Sequence, residues 1–212
     1  MKLFFFDTEM EFEPIYKNEK KLEKILQKNG IKYTRLKGEK SFEHLAFEHK
    51  YVKRDGTRKI GYDWCGGVRR WGTLEKKKAL KKHYQKYNNC LIVEYVGIAF
   101  DEQIRIESER TNRADGGCIK LYPLIEWGMT EKDCLKWCFE HKISWKINGI
   151  ELYNILDRVS CWCCGNKNNK EISNIIKYLP DVWNKIKRYE TKCGVLYKQK
   201  GCEYYEAKFK NN

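Results

Sequence analysis

Three cysteines stand within four residues, at Cys161, Cys163 and Cys164, and a fourth, Cys65, lies far upstream. Each thiol side chain fills less volume than Leu or Ile, so packing alone does not account for such a run. Cys161 and Cys164 have the C-x-x-C spacing that lets two thiolates bind one metal centre. The four cysteines therefore predict a soft-metal site, holding zinc or an iron–sulfur cluster. The alternative is a group of reduced cysteines buried as small hydrophobic side chains.

The length and composition of the chain predict one folded domain. It has 212 residues, of which 42% are hydrophobic and only three are proline. No Ser- or Gly-rich linker and no internal repeat separates two halves. We expect an α/β nucleotide-binding part over residues 1–128 and a mostly helical part with the cysteine cluster over residues 129–212.

The N-terminus and the hydropathy of the chain favour a cytoplasmic location without a membrane anchor. The apolar run after Lys2 ends at Asp7, which is too short for a signal peptide. No segment approaches the roughly 18 apolar residues of a membrane span. In a reducing compartment, the ten cysteines are expected to be metal ligands or redox groups more often than disulfides.

The net charge of +14 favours anionic partners. Nucleotides, phosphate or sulfate esters and nucleic acid are the classes that such a field attracts. The alternative is a lysine-rich surface that only keeps the chain soluble, and charge alone does not separate the two.

The first part of the chain has the pattern of a strand–helix–strand unit. Lys2–Asp7 is a short apolar run that predicts a buried strand, and a helix follows from Pro14 to Asn29. Ile31–Leu36 alternates like a second strand. This order predicts a parallel sheet flanked by helices, with a right-handed crossover.

The remaining elements follow from similar patterns, except in residues 38–60, which are expected to be irregular. Leu91–Ala99 is the strongest strand signal, and Asp101, Glu102 and Arg105 follow its end, where open α/β sheets bind ligands. Tyr122–Gly128 predicts a loop or short strand. Helices are predicted over Thr73–Tyr87, Glu131–His141, Gly149–Asp157 and Glu171–Cys193, the last divided near Pro180.

Two further groups of polar side chains are candidates for binding a phosphorylated ligand. Arg69 and Arg70 stand beside Trp71, and guanidinium groups match the geometry of phosphate oxygens. The acids Asp7 and Glu9, at the end of the first predicted strand, suit a nucleotide or its magnesium ion. The alternatives are a solvated arginine pair beside a core tryptophan, and acids that only cap a helix.

In this order, the motifs resemble the phosphoadenosine phosphosulfate (PAPS) reductase family, especially its compact forms from phages and anaerobic bacteria. The resemblance covers almost the whole chain. Its residues are Phe6-Asp-Thr-Glu-Met-Glu-Phe-Glu-Pro14, Trp64-Cys-Gly66, Arg70-Trp-Gly-Thr73, Gly97-Ile-Ala-Phe-Asp-Glu102 with Arg105, Tyr122-Pro-Leu-Ile-Glu-Trp127 and Val159-Ser-Cys-Trp-Cys-Cys164.

The resemblance implies an adenine-nucleotide α-hydrolase-like fold and reductive sulfur transfer from, or nucleotidyl chemistry on, an adenylated sulfur compound: PAPS, adenylylsulfate or, for the nucleotidyl step, ATP. Asp7, Thr8 and Glu9 would lie near the nucleotide, and Arg105 would help to hold it. The adenylylsulfate-reducing branch binds a four-iron cluster with an upstream cysteine pair and a C-x-x-C. Here Cys65 matches the upstream position, and Cys163 would replace the missing partner, or the metal is zinc.

Three departures separate the chain from the family pattern. The family's N-terminal Ser-Gly-Gly-x-Asp-Ser phosphate loop is absent, so the chain is expected to be N-terminally truncated or completed by another polypeptide. Ala99 stands where reductases often carry Arg. Cys193 is the match to the C-terminal nucleophile, but Lys192-Cys-Gly-Val-Leu196 lacks the family's Glu and His.

These departures leave two other functions open. One is an ATP-dependent sulfur-transfer or nucleic-acid-modifying protein. The other is a non-catalytic, metal-stabilised subunit that needs a partner carrying the phosphate loop. With that loop supplied, the expected activity is that of an oxidoreductase acting on sulfur.

Overall fold

The computed structural model describes residues 1–66, 70–87, 89–105, 107 and 118–209. These residues belong to two compact units. Unit 1 joins Met1–Lys81 to Trp145–Asn212, and unit 2 is Lys82–Ser144. Neither boundary coincides with the division after residue 128 that the sequence suggests.

Unit 1 begins with a strand–helix–strand unit, as predicted. β1 (Lys2–Asp7) is followed by α1 (Glu13–Lys28) and β2 (Lys32–Lys37). Pro14 lies in the first turn of α1, where its missing N–H leaves no hydrogen bond unmade. The two strands pair in parallel from Lys2 opposite Lys32 to Asp7 opposite Lys37, so their carboxyl ends lie side by side.

Residues 38–60 are ordered elements, so the prediction of an irregular segment is wrong. The Ser41 side chain accepts a hydrogen bond from the His44 N–H at the start of a short helix. A hairpin then turns at Asp55 and Gly56, where Asp55 accepts a bond from the Thr57 N–H and Gly56 has a φ of 81°. The elements are α2 (Phe42–Phe47), β3 (Lys50–Val52) and β4 (Arg58–Ile60).

The segment before the cysteine run is a second hairpin, and the predicted helix over Gly149–Asp157 is wrong. β7 (Lys146–Ile147) pairs antiparallel with β8 (Ile150–Glu151). Asn148 and Gly149 form the turn with φ values of 50° and 82°. An Asn-Gly pair with two positive φ angles favours a tight hairpin, and this local signal decides the structure here.

Helices complete unit 1, and the predicted break at Pro180 is confirmed. α6 (Asn169–Tyr178) starts with a capping box, in which Asn168 and Glu171 each bond the other's backbone N–H. α7 (Pro180–Cys193) begins at the proline and ends before Gly194, whose φ of 63° allows the left-handed cap. The C-terminal helix α8 (Cys202–Phe209) has no counterpart in the sequence analysis.

The hydrophobic core cluster of the described residues lies wholly in unit 1. Ile172, Ile175 and Ile186 of α6 and α7 are fully buried, and Cys163 is 1% exposed among them. The cysteine run is therefore part of the core rather than a surface loop. α3 (Trp71–Tyr84), predicted from Thr73, begins two residues earlier, so that Trp71 is also buried.

Unit 2 contains a second parallel strand pair. β5 (Ile92–Tyr95), shorter than predicted, pairs with β6 (Cys118–Leu121). α4 (Pro123–Glu126) is a helix where a loop or short strand was expected, because Pro123 favours a first helical turn. α5 (Glu131–Glu140) confirms the predicted helix, with Thr130 and Asp133 forming a capping box.

The chain is thus a mixed α/β protein with parallel strand pairs. Within the described residues, β1–β2 and β5–β6 are parallel pairs, β3–β4 and β7–β8 are antiparallel hairpins, and no larger sheet joins them. None of the described helices is long and apolar enough to cross a membrane.

Candidate functional site

A small cleft of about 80 Å³ opens at the carboxyl ends of β1 and β2 in unit 1. Such an edge is where parallel α/β units bind their ligands. The loop after β1, the loop after β2, α2 and the first turn of α3 form its walls. Its lining residues are Phe6, Asp7, Thr8, Glu9, Lys37, Gly38, Lys40, Ser41, Phe42, Leu45, Trp71, Gly72 and Glu75.

Asp7 links the elements at the base of this cleft through hydrogen bonds. Its carboxylate accepts hydrogen bonds from the Glu9 N–H (2.8 Å), the Tyr16 hydroxyl (3.0 Å) and the Arg35 guanidinium (2.9 Å). Burial raises the pKa of Asp7, but these donors outweigh burial, and the net pKa is lowered. Asp7 is therefore a charged anchor between β1, α1 and β2.

Thr8 and Glu9 face two different parts of unit 1. The Glu9 carboxylate accepts from the Phe42 N–H (3.1 Å) and pairs with Lys37 (3.2 Å) in the cleft. Thr8 has its hydroxyl 3.6 Å from the Cys161 Sγ. Glu9 has a φ of 64°, an unfavourable value for a residue with a side chain, and this backbone turn separates the two directions. The loop thus connects the cleft with the cysteine run.

The cleft combines aromatic rings with positive charge. The Phe42 and Trp71 ring centroids are 4.3 Å apart, and the buried Trp71 Nε1 has no hydrogen-bond partner among the described residues. Lys37 and Lys40 also line the cleft, together with the carboxylates of Asp7, Glu9 and Glu75, and Lys37 pairs with Glu9 at 3.2 Å. The cleft thus combines an aromatic pair with charged groups of both signs.

Cys65 reaches the cysteine run through backbone contacts. Its carbonyl accepts a hydrogen bond from the Gly165 N–H (3.2 Å), and Gly66 lies so close that an added Cβ would meet Gly165 at 3.0 Å. Gly72, in the first turn of α3, packs against Cys65 so closely that an added Cβ would meet the Cys65 Sγ at 3.1 Å. Since Gly72 also lines the cleft, the cleft and the cysteines share this wall.

Of the four predicted ligand cysteines, Cys163 is buried, whereas Cys65, Cys161 and Cys164 are half-buried. Burial raises the pKa of the Cys65, Cys161 and Cys163 thiols, and neighbouring thiols and Glu11 raise it further. The Cys161 Sγ is 3.5 Å from the Glu11 carboxylate. Metal-free, these groups are neutral thiols, and thiolates there need a compensating cation.

Lys167 brings a positive charge into this environment. Its side chain is packed over the Phe12 ring, with Nζ 5.4 Å from the centroid, and the residue is 2% exposed. Burial lowers the pKa of Lys167, whereas Glu171 and the thiols of Cys164, Cys161 and Cys163 act to raise it. Its Nζ has no hydrogen-bond partner among the described residues.

In the described part of the chain, no group of three or more His, Cys, Asp or Glu side chains is arranged to hold one metal ion. In a four-iron cluster each cysteine binds a different iron, so the four thiolates need not converge on one atom as they do around a single zinc ion.

Cys193, the candidate nucleophile, ends α7. Its Sγ lies 3.3 Å from the Val195 carbonyl, and burial raises the pKa of this thiol. The pKa of the buried Tyr189 hydroxyl is raised by burial and also by the thiols of Cys163, Cys193 and Cys65, so Cys193 borders the same region. Nothing in its surroundings lowers the pKa enough to activate it as a thiolate.

The other predicted anion-binding residues are not among those that line the cleft, or they fall outside the described residues. Arg69 is outside them, and the exposed Arg70 precedes α3. In unit 2, Arg105 pairs with Glu102 at 2.6 Å, and Asp101 accepts a hydrogen bond from the Glu131 N–H at the start of α5. These are local contacts within unit 2.

Sequence reasoning missed Glu11, Lys37, Lys40 and Lys167. Glu11 lies within the recognised motif around Asp7, but nothing in that motif indicates a contact with Cys161. The lysines are hidden among 43 Lys and Arg residues. The one available signal for Lys167 is its place three residues after Cys164.

Comparison with known proteins gives a single distant relative to report. The chain is 27% identical over 186 residues to an uncharacterized protein, MJ0066, of Methanocaldococcus jannaschii. The match covers 85% of this chain and 34% of the relative, so the chain spans about a third of that protein's length. No protein-family model and no solved structure matches the chain.

Proposed function

We propose that unit 1 is a PAPS reductase-like module that binds an adenine nucleotide in the cleft after β1 and β2. In this proposal its fold is the adenine-nucleotide α-hydrolase type, and its reaction is reductive sulfur transfer from an adenylated sulfur compound. The observation that carries the proposal is the shared wall. Gly72 lines the cleft and packs against the Cys65 Sγ, while Thr8 lines the cleft and contacts Cys161.

The chemistry of the cleft supports a nucleotide as ligand. Phe42 and Trp71 offer ring faces to a base, and Lys40, which contacts His49, offers charge to phosphate or sulfate oxygens. Lys37 is already paired with Glu9 at 3.2 Å. Asp7 positions this edge through Arg35 and Tyr16 and is not itself free to bind magnesium.

Cys65, Cys161, Cys163 and Cys164 would hold the metal centre, either a four-iron cluster or zinc. Such a centre would supply positive charge next to a bound sulfonucleotide, or an electron if it contains iron. Thr8 and Glu11, which contact Cys161, and Gly72, which packs against Cys65, would help to position these ligands.

Titration calorimetry with PAPS, on protein purified without oxygen, tests the nucleotide proposal. Lys40→Glu should lower the affinity about fivefold, because it reverses one partly solvated charge contact. Lys24→Glu makes the same charge change on α1, away from the residues that line the cleft, and should leave affinity unchanged. Equal losses in both variants, or no binding by the wild type, would contradict the proposal.

A nucleic-acid-modifying function is a second candidate, and one feature of unit 1 favours it. A groove of about 530 Å³ is lined by Lys185, Arg188 and Lys192 from one face of α7. Phe47 and Trp162 also line it. Cations beside aromatic rings are the usual surface for single-stranded nucleic acid.

Binding of a single-stranded oligonucleotide at several salt concentrations separates this candidate from the first. The double variant Lys185→Glu with Arg188→Glu should reduce both affinity and its salt dependence, whereas Lys20→Glu with Lys24→Glu on α1 should not. If the two pairs weaken binding equally, the groove has no specific role.

A further inference from the structure

The cleft is too small to enclose the whole nucleotide that the proposed function assigns to it. Its volume of about 80 Å³ lies below that of sites that enclose a small molecule, roughly 300 to 1,000 Å³. The α7 groove has a volume of about 530 Å³, which is within that range. A nucleotide whose base enters the cleft must therefore extend beyond it, and the groove is the larger space open to it.

The cleft and the α7 groove adjoin each other, because Glu9 and Ser41 line both. The Glu9 carboxylate accepts a hydrogen bond from the Phe42 N–H (3.1 Å), which ties the loop after β1 to the start of α2. The Ser41 side chain accepts one from the His44 N–H at the same end of α2. The boundary between the two openings is thus one short polar stretch of unit 1.

The lining of the cleft has no excess of positive charge. Lys37 and Lys40 are accompanied there by the carboxylates of Asp7, Glu9 and Glu75. Lys37 already pairs with Glu9 at 3.2 Å. A ligand with several negative charges would meet repulsion as well as attraction in the cleft. Its phosphate and sulfate groups therefore need further cations from outside the cleft.

The α7 groove supplies such cations. Lys192 pairs with Glu43 at 3.4 Å, but neither Lys185 nor Arg188 has an ion pair with a carboxylate among the described residues. The Arg188 Nε donates to the Asn184 carbonyl one turn back (3.4 Å), so the terminal nitrogens of the guanidinium remain for a ligand. A planar guanidinium beside an ammonium matches the oxygens of a phosphate or sulfate group.

We propose that the cleft and the α7 groove form one nucleotide site, in which the base enters the cleft and the phosphate and sulfate groups bind to Arg188 and Lys185. This inference rests on the nucleotide of the proposed function. It assigns the anionic end of the ligand to α7 and makes Arg188, rather than Lys40, its main cationic contact.

Titration calorimetry with PAPS, on the full chain purified without oxygen, tests this assignment. Arg188→Glu should lower the affinity about tenfold, because a guanidinium that can bond two ligand oxygens is replaced by a carboxylate. Lys40→Glu should have a smaller effect than Arg188→Glu. Lys24→Glu is the matched control, since it reverses an exposed charge on α1 that lines neither opening, and it should leave the affinity unchanged.

Lysine acetylation followed by mass spectrometry locates the ligand on the wild-type chain, without any variant. PAPS at ten times its Kd leaves about a tenth of the sites empty, so acetylation of Lys185 should slow by up to about tenfold. Acetylation of Lys24 should keep its rate. The same measurement with a single-stranded oligonucleotide shows whether the groove binds nucleic acid instead.

Each outcome decides the inference. A tenfold loss in Arg188→Glu together with protection of Lys185 supports it. If the wild type binds PAPS but Arg188→Glu behaves like Lys24→Glu, or Lys185 is not protected, this inference alone is overturned and the cleft remains the site. A wild type that binds no PAPS overturns the proposed function as well. Protection of Lys185 by the oligonucleotide but not by PAPS overturns this inference and favours the second candidate function.

Discussion

Unit 1 and unit 2 differ in how they bury their apolar side chains. The core cluster lies in unit 1, whereas Ile98 and Ala99 are the buried hydrophobic residues among those described in unit 2. Val93 and Tyr95 of β5 and Ile119 of β6 are exposed by 43%, 60% and 48%, although parallel strands are normally covered on both faces. Both units contain a parallel pair and several cysteines, so neither feature alone marks the candidate site.

Burial beside charged groups, rather than residue type, distinguishes the unit 1 cysteines from the unit 2 cysteines. The unit 1 cysteines lie beside the buried Lys167 and the Asp7–Glu11 loop. No lysine is among the groups that shift the pKa of Cys134 and Cys138 in α5. Matched substitutions in unit 1 and unit 2 test this distinction.

The largest effect is expected from the cysteines. Cys161→Ser and Cys164→Ser should each lose the bound metal and lower the melting temperature by roughly 10 °C, because forming such a site is coupled to folding. Cys134→Ser in unit 2 should change neither. Metal analysis and thermal melting measure both, and equal behaviour of Cys134→Ser and Cys164→Ser would end the distinction between the units.

The next effect is on the core. Ile175→Ala should reduce the free energy of unfolding by about 3 kcal/mol, because Ile175 is fully buried and the change leaves a cavity. Val93→Ala, on an exposed face of unit 2, should cost less than about 0.5 kcal/mol. Urea unfolding gives both values. A larger loss for Val93→Ala would show that β5 is covered in solution.

A smaller, pH-dependent effect is expected at Asp7. Its folded-state pKa lies below the ordinary value of 3.8, so its stabilisation is complete above that value and is lost as pH falls below it. Asp7→Asn should therefore lower the free energy of unfolding by about 2 kcal/mol at pH 7. The difference from the wild type should shrink below pH 3.8. A constant difference in urea unfolding from pH 7 to pH 3 would contradict this.

The smallest effect is expected at Arg105, which tests whether unit 2 contributes to nucleotide binding. Its guanidinium already pairs with Glu102 within unit 2. Arg105→Glu should weaken PAPS binding less than about twofold, whereas Lys40→Glu in the unit 1 cleft should weaken it about fivefold. Calorimetry that ranks the two in the reverse order would extend the site to unit 2.

The sequence was sufficient for the elements with strong local signals. The β1–α1–β2 unit, the break at Pro180 and the cap at Thr130 were all predicted, because apolar periodicity, proline and capping residues act locally. The helix expected over Gly149–Asp157 failed since the turn at Asn148 and Gly149 overrides the apolar pattern. The loop or short strand expected over Tyr122–Gly128 is instead a short helix, because Pro123 favours a first helical turn.

The candidate site was only partly predictable. Spacing singled out Cys161 and Cys164 and, through the resemblance, Cys65, but the contact between Cys65 and Gly165 depends on two glycines far apart in the chain. Lys167 and Lys40 carry no signal in their own neighbourhood that separates them from other lysines. Their importance follows from burial and from the cleft they line, which are properties of the folded chain.

Metal and sulfide analysis of the wild-type chain, purified without oxygen, tests directly whether the unit 1 cysteines bind a metal centre. We expect about one zinc per chain, or about four iron atoms with labile sulfide. Protein that is folded, fully reduced and free of both metals under these conditions would contradict it. The buried cysteines would then be no more than small core side chains.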